Sequence, residues 1–327
     1  MAGGRMVDAA LPPLAGSVLD LVGGTPLVAL DRLGAGLAGR VLLKLELANP
    51  GGSVKDRAAL RCIERAEERG DLHPGGTVVE LTSGNMGIGL AIACALKGYR
   101  MVAVMSEGNS PERRRVLEAY GAEVVLVPQG PESVPGQVSG DDLALVEERT
   151  EEVVRECHGW RPDQFNNPGN PEAHRLTTAP EIWEQTGGKV AAFVTIVGTG
   201  GTFVGISRYL KERDLGIQCL AVEPEGAQAL AAKPISNPGH RLQGAGYAMV
   251  PPAWDPALCD GTVPISDEEA TTVARDLARQ EGILAGFSSG ANVAAAMRVA
   301  AEAEPGANIV TIACDTGLRY LSTDLFG

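Results

Sequence analysis

"TVVELTSGNMGIGLAIACALKGYRMVAVM", residues 77–105, decides the fold. "TVVEL" (77–81) and "RMVAVM" (100–105) are short apolar, β-branched runs, and "IGLAIACALKG" between them reads as a helix closed by glycine. A strand, a tight turn, a helix and a second strand imply a parallel pair joined by a helical crossover. The turn "TSGNMG" (82–87) sits at the strand end and opens the helix. Thr82, Ser83 and Asn85 add side-chain donors to the free N–H groups there, which suits a carboxylate. The plainer reading is an N-cap with Asn85 in a left-handed turn.

The same alternation extends outward in both directions. Upstream, "RVLLKLEL" (40–47) is a strand, followed by "NPGGSVKDR" (49–57) and a helix that Gly70 closes. Ser53 is placed to cap that helix, and Asp56, three residues on, completes a capping-box spacing. Lys55 then falls in the first helical turn, where the helix dipole disfavours a cation. Downstream, "SPERRRVLEAYG" has Ser110 as N-cap, Pro111 at the first helical position and Gly121 beyond the end. "AEVVLVP" (122–128) is a strand, "QGPESVPGQVSGDD" (129–142) an exposed loop, and "LALVEERTEEVVREC" a helix.

The second half has the same style. Strands are expected at 190–197, 217–224, 282–286 and 308–314, and helices at 267–280 and 290–303, with "FVGISRYLKER" another after the glycine turn "GTGGT". The fold class is therefore α/β, with mostly parallel sheets and helices on both faces. Sites in such sheets gather at the C-terminal ends of strands. A chain of 327 residues suggests two domains.

Composition narrows the partners. The net charge of −13, 28 basic against 41 acidic residues, argues against nucleic acid or an anionic membrane. The six cysteines, at 62, 94, 157, 219, 259 and 314, are far apart, with no C-x-x-C and no clustered histidine. That favours reduced cysteines in a cytosolic protein over disulfides or zinc, and no metal is expected. Prolines interrupt the short apolar run of "MAGGRMVDAALPPLAG", which argues against a signal peptide. No stretch approaches the roughly 18 apolar residues of a membrane span. A soluble cytoplasmic protein is expected.

Two more turns carry chemistry. "VGTGGTFVG" (197–205) brings glycines to a strand-to-helix turn, where helix N–H groups bind phosphate. Phe203 stands where a dinucleotide fingerprint needs its third glycine, so a single phosphate fits better than a pyrophosphate. "GFSSG" (286–290) matches a serine nucleophile elbow. All four histidines, 73, 158, 174 and 240, precede Ser288, whereas that fold needs its histidine after the serine. They read better as surface or supporting residues. A lysine nucleophile forms a Schiff base and needs a depressed pKa, which a helix N-terminus supplies. With a phosphate turn, a carboxylate turn and a serine turn beside it, pyridoxal phosphate matches the set.

The motifs in order, "GGTPLVAL" (23–30), "NPGGSVKDR", "TSGNMGIGLA", "ERRRVLEAYGAEVVLVP" (112–128), "QFNNPGNPEAH" (164–174), "GTGGTFVG", "EGILAGFSSGA" (281–291) and "RYLST" (319–323), cover nearly the whole chain. It resembles the cysteine synthase (O-acetylserine sulfhydrylase) and cystathionine β-synthase family of fold-type-II pyridoxal-phosphate enzymes. The resemblance implies a tryptophan-synthase-β-like fold in two α/β domains. Residues 1–26 and 49–167 would form the smaller, mobile one, and 27–48 and 168–327 the larger. It implies that Lys55 is the Schiff-base lysine and the base for the α-proton. Asn85 would bond the ring hydroxyl, Gly198, Thr199, Gly200, Gly201 and Thr202 the phosphate, and Ser288 the pyridine nitrogen. Thr82, Ser83, Gly84 and Met86, mainly through backbone N–H groups, would receive the substrate carboxylate together with Gln164.

The reaction implied is β-replacement on O-acetyl-L-serine through an α-aminoacrylate, with sulfide giving L-cysteine, in a homodimer. O-phosphoserine as donor, an amine or other nucleophile, cystathionine synthesis, and serine or threonine dehydration are the enzymatic alternatives. A catalytically weak homologue acting as a binding partner is the non-enzymatic one. Three departures from the family pattern bear on substrate choice. Met86 replaces a usual threonine, Tyr247 and Ala248 occupy small-residue positions near the pocket, and "CDTG" (314–317) replaces Pro-Ser-Ser-Gly. Asp315 there is either a helix N-cap or a carboxylate approaching the pyridine nitrogen.

Overall fold

The computed structural model describes residues 14–131, 133, 138–242 and 244–327. Two sheets organise the described chain. The first combines β1 (Leu27–Ala29) and β2 (Arg40–Leu45) with strands from the second half. Then follow α1 (Lys55–Arg69), β3 (Thr77–Leu81), α2 (Asn85–Lys97), β4 (Arg100–Ser106), α3 (Pro111–Ala119), β5 (Glu123–Val127) and α4 (Gly140–Cys157). Here β3, β4 and β5 pair in parallel as a separate three-stranded sheet. The helices α5 (Gly169–Ala173) and α6 (Ala179–Gln185), joined by a π-helical turn, lead to β6 (Ala192–Ile196), α7 (Gly201–Lys211), β7 (Gln218–Pro224) and β8 (Gly261–Ile265). The chain ends with α8 (Asp267–Asp276), α9 (Phe287–Glu302) and β9 (Asn308–Ala313). The larger sheet runs β1-β2-β9-β6-β7-β8, parallel except for β1.

Amphipathic periodicity explains how each helix seats itself. On α1, Ala58, Ala59, Cys62, Ile63 and Ala66 form one buried stripe, and on α4 Val146, Thr150 and Val153 do the same. The run Met86–Cys94 of α2 is buried almost all round, as its near-continuous apolar sequence requires. The larger sheet is covered on one face by α8 and α9 and on the other by α6 and α7. Gly290 lets α9 lie directly against the Ala270 carbonyl of α8, where any Cβ would collide. Among the described residues, no helix is long and apolar enough to cross a membrane. The six cysteines are all free thiols.

Several expectations need correction. Residues 282–286 form no strand; only Ala285 pairs, in an isolated bridge to Thr316. The chain leaves a π-helical turn at Gly282 with positive φ and enters α9 five residues later, with no continuous ladder in between. The sheet instead gains β8, whose Pro264 is tolerated at an edge. The helix after the 129–142 loop starts at Gly140, and buried Asp142 organises the loop by accepting bonds from Gly130, Ser133 and Ser139. Residues 132 and 134–137 of that loop, and 1–13 at the N-terminus, lie outside the described residues.

Glu80 on β3 is 2% exposed, and one of its carboxylate oxygens has no partner. Burial pushes its carboxyl up to about 8, against the pull of Arg161, whose Nε lies 3.9 Å away. A folded-state pKa above the unfolded one means that folding takes up a proton. The stability this gives is complete below about pH 4.5 and lost as pH rises to about 8. Wild type is therefore expected to lose urea midpoint between pH 5 and 9 and Glu80→Gln to lose less; equal slopes would contradict it.

Candidate active site

The site forms where strand ends of the larger sheet meet the first turns of α1 and α2. Lys55 is the first residue of α1, and the preceding loop is stitched to the end of β9. Val54 N–H donates to the Cys314 carbonyl (2.8 Å), and Thr316 N–H to the Gly52 carbonyl (3.0 Å). The capping differs from expectation by one residue. Val54 occupies the cap position, and Ser53 Oγ accepts from the Lys55 N–H. Asp56 closes the glycine turn through the Gly51 N–H instead of returning to the cap backbone.

Lys55 is half-buried, and its Nζ lies 3.4 Å from Thr199 Oγ1. Burial lowers its pKa. The nearby thiols do not counter this, because burial pushes Cys314 and Cys62 up to about 12, so both stay uncharged near neutral pH. Desolvation therefore favours the free amine here, in the same direction as the helix dipole.

Thr199 begins the turn that starts α7. Its hydroxyl accepts from Asn170 Nδ2 (2.8 Å), which also donates to the Gln164 carbonyl (2.8 Å). Gly200 takes positive φ, and Gly201 packs directly against the Asn170 amide, leaving no room for a Cβ. Thr202 Oγ1 is 3.2 Å from His174 Nε2, and His174 Nδ1 is 2.9 Å from Thr178 Oγ1. Burial holds the His174 pKa well below its ordinary value, so the ring supporting this turn is neutral. The first N–H groups of α7 lack intrahelical partners. Together with Thr199 and Thr202 they make an anion cup next to the Lys55 amine.

On the opposite side, Ser288 is buried in the first turn of α9, close enough to the Cys314 thiol to act on it electrostatically. It does not stand on the strained turn of a nucleophile elbow, and His174 and His240 bond elsewhere. Asn85 opens α2, and its Nδ2 donates to Asp315 Oδ2 (2.8 Å), which also accepts from Tyr320 O–H (2.7 Å). Asp315 is not a helix cap; Thr316 fills that role.

The carboxylate turn is partly spent on its own structure. Thr82 Oγ1 accepts from the Gly87 N–H (3.0 Å) and the Gly84 N–H (3.5 Å), and Ser83 Oγ from Arg113 (3.3 Å). The Met86 side chain is 3% exposed and belongs to the core beneath the smaller sheet. The side chain that replaces the family's usual threonine therefore packs into the core. Gln164 is half-buried. Tyr247 is exposed and stacks edge-to-face on Phe165 at 5.4 Å, which sets it beside Gln164.

A family model described as "Pyridoxal-phosphate dependent enzyme" matches residues 18–315. The chain belongs to that family. A cysteine synthase of Staphylococcus aureus (strain N315) is 44% identical over 313 residues, covering 95% of this chain and 96% of that one. The solved O-acetyl serine sulfhydrylase isoform 3 of Entamoeba histolytica superposes with TM-score 0.90 at 36% identity, covering 99% and 95% of the two chains. A solved O-ureido-L-serine synthase does so with TM-score 0.87 at 41% identity, covering 96% of each.

As a member of the family the chain is an enzyme whose cofactor is pyridoxal 5′-phosphate, and the residues present fit that group. The buried amine suits its aldehyde, the start of α7 its phosphate, and the uncharged Ser288 hydroxyl its ring nitrogen. Asn170 and His174, which support the phosphate turn, carry no signal by themselves. They lie in "QFNNPGNPEAH", and only a buried-polar pattern within that motif marks them. Arg113 lies in a motif as well, but its approach to Ser83 depends on tertiary packing.

Proposed function

We propose that this chain is an O-acetylserine sulfhydrylase, converting O-acetyl-L-serine and sulfide into L-cysteine and acetate. The observation that carries the reading is the Lys55 amine, desolvated and with a lowered pKa, 3.4 Å from the hydroxyl of an anion-binding helix start. Family membership and the cysteine synthase relatives support the same chemistry.

The roles proposed for individual residues rest on the family resemblance, and the geometry is compatible with them. Gly198, Thr199, Gly200, Gly201 and Thr202 hold the cofactor phosphate, Asn85 its ring hydroxyl and Ser288 its ring nitrogen. When bound, the cofactor supplies the electron-withdrawing ring that makes the substrate α-proton acidic. Lys55 accepts that proton as the acetate leaves. A neutral hydroxyl at Ser288 would hold the ring nitrogen without supplying a charge to keep it protonated. The backbone N–H groups of 82–86 and the Gln164 side chain receive the substrate carboxylate.

The strands of the smaller sheet all fall within residues 49–167, and those of the larger within 27–48 and 168–327. We take residues 1–26 and 49–167 as the smaller unit that closes over the substrate. A cytoplasmic homodimer completes the proposal, which sedimentation equilibrium tests. The test of function is a matrix of O-acetyl-, O-phospho- and unmodified serine against sulfide, thiosulfate, homocysteine and amines. O-acetylserine with sulfide is expected to exceed every other pair by about tenfold in kcat/KM, a transition-state difference of about 1.4 kcal/mol. A preference for another donor or nucleophile would overturn the reading.

A further inference from the structure

Asp315 is 1% exposed, and Arg319 and Arg113 act on it electrostatically. Its Oδ2 takes two donors, the Asn85 amide at 2.8 Å and the Tyr320 hydroxyl at 2.7 Å. Its Oδ1 has no partner and lies against Gly286, where a Cβ could not fit. Gly286 caps α9, so the positive end of that helix faces the carboxylate. Tyr320 is itself locked, buried and edge-to-face on Phe287 at 5.5 Å. A rigid buried acceptor is thus held against one particular amide, 230 positions away in the chain.

An asparagine amide presents an acceptor on one side and two donors on the other, and rotation by half a turn exchanges them. The Asp315 oxygen that faces Asn85 also accepts from the Tyr320 O–H, so it serves both neighbours as an acceptor. With Asp315 fixed by Tyr320, the Asn85 nitrogen must face it, and the second N–H of that nitrogen is left for another acceptor. We propose that Asp315 is a positioning residue. It sets the orientation of the Asn85 amide so that an N–H, and not the carbonyl, meets the ring hydroxyl oxygen of the cofactor. This rests on the reading of Asn85 given under the proposed function.

The test compares the visible absorbance of purified, cofactor-loaded variants, their cofactor dissociation constants, and the melting of their cofactor-free forms. Asp315→Ala is expected to redistribute the absorbance bands as Asn85→Ala does and to weaken cofactor binding about tenfold, the scale of one hydrogen bond. Asp315→Asn keeps an acceptor oxygen for both donors and is expected to stay within about twofold of wild type. In an Asn85→Ala background, Asp315→Ala is expected to change the bands no further. Tyr320→Phe, which loosens Asp315 without removing it, is expected to shift the bands in the same direction by less.

A purely structural role would lower melting in Asp315→Ala and leave the bands unmoved, and that result would overturn the proposal. Equal impairment of Asp315→Asn and Asp315→Ala would also overturn it, by showing that charge and not orientation matters. A wild-type chain that takes up no pyridoxal phosphate would instead overturn the functional reading, and this inference with it.

Discussion

Lys55→Ala is expected to lower cysteine formation by about 10⁴-fold or more, because one side chain serves as both nucleophile and base. The protein should also lose the visible absorbance of its lysine-linked cofactor while still folding. Stability gives an independent check with a definite sign. Burial lowers the Lys55 pKa below its unfolded value, so folding expels a proton from it. Its contribution is complete above the unfolded pKa and is lost as pH falls through the folded one. At neutral pH the amine therefore opposes folding, and cofactor-free Lys55→Ala should melt at or above the temperature of cofactor-free wild type. Lys55→Arg should be equally inactive, since guanidinium stays protonated and cannot act as the base. A substantial rate retained by either variant would remove Lys55 from the chemistry.

Arg57→Met is expected to destabilise the protein by about 3–5 kcal/mol, the usual cost of breaking a buried ion pair from one side. Arg57 is 3% exposed on α1, two residues beyond Lys55. Its Nε and Nη2 bond both oxygens of Glu46, and its Nη1 and Nη2 bond both oxygens of Glu181, with a further bond to Thr25 Oγ1. Buried Lys44 completes the set, 2.7 Å from Glu181 and hydrogen-bonded to the Thr25 carbonyl and Gln185. Burial drives the Glu181 carboxyl upward, but Arg57 and Lys44 outweigh it and hold it down at about 2. That contribution is present above the unfolded pKa of about 4.5 and lost as pH falls toward 2. Removing Arg57 leaves two carboxylates facing Lys44 alone and frees the helix that carries Lys55. Arg57→Lys should rescue little, since one ammonium cannot span two bidentate partners. Urea unfolding measures both variants, and a loss below about 1 kcal/mol, the range of exposed pairs, would show the network to be slack.

Local patterns made the parallel framework readable. The segment from Thr77 to Ser106 carries its own turn chemistry, and its strand–helix–strand order stands in the structure. Where local signals conflicted with tertiary context, the reading failed. "GTVPI" looks broken by Gly261 and Pro264, yet a sheet edge accepts it as β8. Residues 169–185 hold prolines that suggest turns, but Pro180 sits in the first turn of α6, where no intrahelical N–H bond is needed. Lys44 interrupts an apolar strand, a mark of a buried charge, but its partners Glu181 and Gln185 come from a distant segment. The bond between Asn85 and Asp315 is equally nonlocal. The turns of the site were thus legible, and what holds them in register was not.

The most direct measurement is a rapid-quench assay of acetate release when O-acetylserine is mixed with the cofactor-loaded enzyme in the absence of sulfide. A burst of acetate stoichiometric with active sites is expected, followed by cysteine in equal amount once sulfide is added. Acetate that appears only when sulfide is present, or never appears, would contradict a β-replacement in which the donor reacts with the Lys55 site first.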